Sequence, residues 1–146
     1  MLDANKIEFF EKVETPFYFY DMDLLRRTVR TVSQLSEKYG IEAHYAVKAN
    51  VERRILEYIS SMGLGADCVS GNEVRFASVC GFAPEKIVFA GVGKSDREIA
   101  DALKLGIYSF NCESLQEIYV IDAMAERLGK RARISVRINP DIDAHT

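Results

Sequence analysis

In folds that alternate strands and helices, chemistry is done where strands end and loops begin, and four residues of this chain stand at such places. Lys48 directly follows His44-Tyr45-Ala46-Val47. Period-two alternation along a strand over residues 42–47 puts His44, Ala46 and Lys48 on one face and Tyr45 and Val47 on the other. If the first face lines a barrel, Lys48 points inward, where partial desolvation leaves its amine nucleophilic toward a carbonyl; the alternative is a lysine that snorkels to water. Asp67 sits inside Gly65-Ala66-Asp67-Cys68-Val69-Ser70-Gly71-Asn72-Glu73. A carboxylate in an apolar run needs a partner, either a catalytic imidazole that it orients or a structural hydrogen bond. Glu73 is a functional carboxylate or one matched to a helix macrodipole in the first turn. Arg137 lies on one face of the last strand with Arg133 and Ser135, and either meets an anion inward or is solvated outward.

The loop Ala90-Gly91-Val92-Gly93-Lys94-Ser95 resembles a phosphate cradle but lacks the spacing of GxxxxGK[ST] or GxGxxG, so its glycines are read as turn residues near a ligand. Cys68, Cys80 and Cys112 are far apart with no CxxC pair, and read as reduced, buried apolar residues rather than metal ligands.

The elements that must hold these residues alternate along the chain. Leu24, Leu25, Val29, Val32, Leu35 and Tyr39 recur at helical spacing from a cap at Asp21 to a stop at Gly40. After the strand at 42–47 come a helix at 53–62, a strand at 66–69, a helix at 72–80 and a strand at 86–89. A helix opened by Ser95, a strand at 107–110, a helix with a Ser114–Glu117 capping box and a strand at 133–138 complete the pattern. Such alternation predicts a parallel sheet of βα units, closed as a barrel or open and doubly wound. A closed barrel takes about 250 residues, so a barrel of 146 residues is a partial one.

A net charge of −3 and the absence of a basic block exclude an electrostatic footprint for nucleic acid. No apolar run approaches the ~20 residues of a membrane helix, and the early acidic residues do not resemble a signal peptide. These features point to a cytoplasmic protein whose partner is small.

Tyr45-Ala46-Val47-Lys48-Ala49-Asn50 resembles the cofactor-lysine motif of the alanine-racemase-like pyridoxal phosphate (PLP) enzymes. Gly65 to Gly71, Phe89 to Lys94, Asn111-Cys112-Glu113-Ser114 and Arg137 to Thr146 are similar, in order and spacing, to the diaminopimelate decarboxylase family among them. The resemblance implies the first five βα units of a (β/α)8 TIM barrel, with PLP carried by Lys48 as the catalytic lysine. It also implies that Asp67 supports a histidine stacked on the cofactor ring, that Glu73 lies near it, and that Arg137 lies near the phenolic side.

Thr15 to Asp21 looks like the family's approach to the barrel. Residues 1–20 are then a segment that contacts a separate β domain, and residues 21–146 are the N-terminal portion of the PLP-binding barrel. The implied reaction is decarboxylation of meso-2,6-diaminopimelate to L-lysine by a homodimer, with no metal. The family's ring-stacking histidine, glycine-rich phosphate loop and pyridine-nitrogen carboxylate are not found in this sequence, so the 146-residue chain by itself is expected to be inactive and prone to self-associate. Another decarboxylase or racemase on the same barrel, and a non-catalytic PLP-binding protein, are the competing readings.

Overall fold

The computed structural model describes residues 4–138. A short helix α1 (Ala4–Phe10) precedes α2 (Met22–Tyr39). The chain then alternates β1 (His44–Ala46), α3 (Arg53–Ser61), β2 (Gly65–Cys68), α4 (Gly71–Val79), β3 (Ile87–Phe89), α5 (Asp96–Leu105), β4 (Ser109–Cys112), α6 (Leu115–Arg127) and β5 (Ile134–Val136). Asp21 caps α2 by accepting from the Leu24 N–H, and Gly40 ends it at φ 63°, as the spacing predicts. The apolar stripe of α2 is covered less than its periodicity suggests. Val29 is buried and Leu25 packs on the core, whereas Leu24, Leu35 and Tyr39 are exposed because α2 flanks the first strand at the edge of the sheet.

All five strands are parallel and pair in chain order, β1-β2-β3-β4-β5. An open doubly wound sheet reverses its order at a switch point, and this sheet does not. Right-handed crossovers between successive neighbours all fall on one side, which is the arrangement of a barrel wall. On the helix side, Ala66, Cys68, Ile87, Phe89, Phe110 and Cys112 are at most 1% exposed. The three cysteines are free and buried, and burial pushes the Cys68 thiol up to about 12, so it is inert at neutral pH. Ile134 and Val136 of the edge strand β5 stay exposed among the described residues.

Each of the last three crossover helices starts with the same device, Ser-x-x-Glu. Ser70, Ser95 and Ser114 accept from the backbone N–H of Glu73, Glu98 and Glu117. Glu98 closes a reciprocal capping box on Ser95. Glu73 and Glu117 instead reach one residue further back, accepting from the N–H of Val69 and Glu113 at 2.8 Å. Two of the carboxylates also touch the preceding unit, Glu98 through the Gly71 N–H at 2.8 Å and Glu117 through Lys94 Nζ at 2.6 Å. The starts of α4, α5 and α6 are thereby tied together at the C-terminal end of the sheet.

Hydrogen bonds from the Ser95 backbone, the Ser95 hydroxyl and the Gly71 backbone hold the Glu98 carboxyl below its ordinary value. A depressed folded-state pKa contributes stability that is present above the unfolded value and is lost as pH falls through the folded one. Glu98→Gln is therefore expected to lower stability at pH 7. In denaturant unfolding, the gap between wild type and variant should narrow as the pH is taken below about 4.5; a gap independent of pH would refute this role.

Candidate active site at the open sheet face

The side chains that do not face the helices form a second, polar face. Register places His44 opposite Gly65, Ala46 opposite Asp67, Asp67 opposite Val88, and Asn111 opposite Ser135. His44, Asp67 and Asn111 therefore project from the side that the helices leave open, as alternation predicts for His44 and Ala46. The His44 ring lies over Gly65, where a Cβ would collide with the imidazole and come within 2.6 Å of the Lys86 carbonyl oxygen. Two polar atoms on this face, His44 Nε2 and Asp67 Oδ1, are buried and have no hydrogen-bond partner among the described residues. Such atoms are rare in folded chains and mark places where another group completes the site.

Of the two settings open to Lys48, the structure shows the solvent-facing one. The strand ends at Ala46, and Lys48 occupies a single 3-10 turn over Val47–Ala49 whose buried member is Val47. Turning the backbone there lets Val47 fill the core at 0% exposure and leaves Lys48 exposed rather than held inside the mouth. Its ammonium makes no hydrogen bond or ion pair among the described residues, so the amine is accessible at the C-terminal end of β1. The turn is braced by the Asn50 N–H on Val47 O, by Tyr45 Oη donating to Asn50 O at 3.3 Å, and by Asn50 Oδ1 accepting from the Glu52 N–H.

Glu73 is half-buried, with one oxygen committed to the Val69 N–H in the loop that follows Asp67. Arg137 leaves the end of β5 with its side chain 64% exposed and Nη1 3.4 Å from Glu113 Oε1. The four expected residues thus share the C-terminal end of one sheet without touching one another in the described contacts. The Asn139-Pro140-Asp141 string lies outside the described residues.

The glycine-rich loop before α5 does not cradle a phosphate with its lysine. Lys94 is buried and its ammonium is consumed by the carbonyls of Gly91 and Asn111 and by Glu117, while Nζ also lies 5.4 Å from the Phe89 ring centre. This cation escapes sequence reasoning because two of its partners, Asn111 and Glu117, come from the following βα unit. Nothing in the sequence signals the close approach of His44 to Gly65.

Comparison with known proteins places this geometry in a family. The family described as "Pyridoxal-dependent decarboxylase, pyridoxal binding domain" matches residues 23–146. Diaminopimelate decarboxylase of Bacteroides thetaiotaomicron is 49% identical over 141 residues, covering 96% of this chain and 36% of that protein. The enzyme of the same name from Aquifex aeolicus is 41% identical over 132 residues, covering 90% and 31%. Among solved structures, diaminopimelate decarboxylase from Helicobacter pylori complexed with L-lysine superposes with a TM-score of 0.81 at 43% identity, over 96% of this chain and 36% of that one. The chain therefore spans about a third of the length of the relatives it matches.

Gly65→Ala is expected to cost about 1–3 kcal/mol, since the rigid Lys86 carbonyl cannot yield to the new methyl. Gly93→Ala, with nothing within 4 Å of the new Cβ, should stay within roughly 0.5 kcal/mol of wild type. Denaturant midpoints of the two variants check this, and equal effects would refute the cradle.

Proposed function

The chain belongs to the pyridoxal-dependent decarboxylases, whose pyridoxal binding domain it matches, and from that premise we propose that Lys48 carries PLP for the decarboxylation of meso-2,6-diaminopimelate to L-lysine. The observation that carries the reading is the accessible, unpaired amine of Lys48 at the C-terminal end of β1, beside a sheet face that holds the orphaned Asp67 Oδ1. The names of relatives 41–49% identical over nine-tenths or more of this chain support the substrate.

The residues present fit the cofactor. Lys48 offers a primary amine to an aldehyde, and no partner among the described residues has to be displaced first. Asp67 offers a desolvated carboxylate oxygen to an N–H donor that the described residues do not supply, such as the imidazole that the family resemblance implies. Glu73 keeps the loop after Asp67 in place through the Val69 N–H, and Arg137 brings a positive charge to the same end of the sheet. Bound here, PLP supplies an electron sink for the pair left when carbon dioxide departs. The chain's own task is to hold the amine, orient the ring's neighbours and keep one face of the site walled by packed strands.

In this reading, residues 21–146 are part of the barrel and residues 1–20 lead toward a separate β domain. The full protein acts as a cytoplasmic homodimer on a small amino acid, with neither nucleic acid nor membrane as partner. Among the described residues, no helix is long and apolar enough to cross a membrane.

Addition of PLP to the full protein, reduction with borohydride and peptide mapping should place the label on Lys48. Lys48→Met should abolish that label and lower lysine production from meso-diaminopimelate by several orders of magnitude. Label scattered over exposed lysines such as Lys130, or activity retained in the variant, would overturn the assignment.

A further inference from the structure

The buried ion pair of Lys94 and Glu117 has no part in the reading above, yet it sits at the same end of the sheet. A lysine is not required to start a crossover helix: α5 is fastened by Glu98 with backbone and hydroxyl partners alone. At α6 a cation has been added and almost wholly withdrawn from water, its side chain 1% exposed and that of Glu117 12%. Such a pair is costly to desolvate unless every donor is used. Here all three are used, at 2.7 Å to Gly91 O, 2.9 Å to Asn111 O and 2.6 Å to Glu117 Oε1. The ammonium therefore ties the loop after β3, the end of β4 and the start of α6 to one point.

From that point a continuous path leads to the surface. Glu117 Oε2 accepts from the Glu113 N–H at 2.8 Å, and Glu113 Oε1 faces Arg137 Nη1 at 3.4 Å. The backbone of Arg137 is fixed separately, its N–H donating to Cys112 O at 2.9 Å. An exposed arginine held only by a long contact to one carboxylate gains little order from it. Holding Glu113 from beneath, as Glu117 does through the Glu113 N–H, lowers the ordering that this contact would otherwise cost.

We propose that Lys94, acting through Glu117 and Glu113, is a positioning residue that aims the Arg137 guanidinium at the ligand bound on the open face. The inference rests on the reading of Arg137 as a cofactor contact and assigns Lys94 no contact of its own with the ligand. It also accounts for the glycine-rich loop that resembles a phosphate site: Gly91, at φ 100°, exposes its carbonyl to Lys94, so the loop binds this protein's own cation.

The test uses the full protein, with PLP affinity read from its absorbance and, without cofactor, NMR of the Glu113 amide and the Arg137 Nε–H. Lys94→Met should accelerate exchange of the Glu113 amide, shift the Arg137 signal and weaken PLP binding about tenfold, the size of coupling found within one network. Glu117→Gln, which can accept through only one oxygen, keeps the proposal falsifiable if Lys94→Met does not fold, and should do the same. Lys86→Met removes a lysine that binds the Gly63 carbonyl at 2.7 Å at the opposite end of the sheet, and should leave all three readings unchanged. Combined with Arg137→Met, the Lys94 substitution should weaken binding no further than Arg137→Met alone. Unaltered Glu113 and Arg137 signals, or additive losses in the double variant, overturn the relay. Altered signals with an Arg137→Met that binds PLP normally support the relay and instead refute Arg137 as a cofactor contact.

Discussion

A parallel strand can be reached from its neighbour only by a crossover, and when successive crossovers are all right-handed and all join adjacent strands, every helix lies on one side. The five strands of this chain are parallel and pair in chain order, so each crossover joins adjacent strands. Their two faces consequently receive different chemistry: Ala66, Cys68, Phe89, Phe110 and Cys112 vanish beneath helices, while His44, Asp67, Asn111 and Ser135 are left on a face that no crossover helix among the described residues covers. Period-two alternation turns one constraint on chain direction into a separation of core from site. The orphaned Nε2 of His44 and Oδ1 of Asp67 both lie on that second face.

The same constraint explains which parts could be read from the sequence. Helix starts were legible, because Ser at a cap reports a local interaction, as at Ser114, although the expected box there is only half formed: Glu117 accepts from the Glu113 N–H and not from that of Ser114. The stop of α2 at Gly40 was equally plain, a left-handed residue being a local requirement too. The order of the sheet was not, since a barrel wall and a doubly wound sheet share the same alternation and differ only in which strand each crossover finds. Strand ends were blurred for a related reason. Ile107 to Phe110 is as apolar as a strand, but the paired segment is Ser109–Cys112, fixed by its register with β3 and β5.

The site was legible by residue type and family likeness more than by geometry. Lys48 was singled out through the string around it, while its setting, inward or reaching water, was left open by position alone. Extending the strand by two residues would have sent Lys48 inward, whereas the chain turns so that Val47 enters the core. Burying a valine is favourable, and burying an unpaired ammonium is not. The apolar residue therefore took the buried position and the cation next to it was left accessible.

Lys48 and Lys94 show how one residue type acquires opposite duties on one sheet. Lys94 reaches two carbonyls and a carboxylate, so its charge is satisfied inside the protein, and removing one member of such a buried pair typically costs about 3–5 kcal/mol. A group so thoroughly bonded is poorly placed to attack anything, because its one lone pair is taken up by a proton and all three N–H bonds of the ammonium are engaged as donors. Lys48 has no such partners among the described residues. Reactivity and structural support compete at a single amine, and under the proposed function this chain divides them between a lysine at the end of β1 and another after β3.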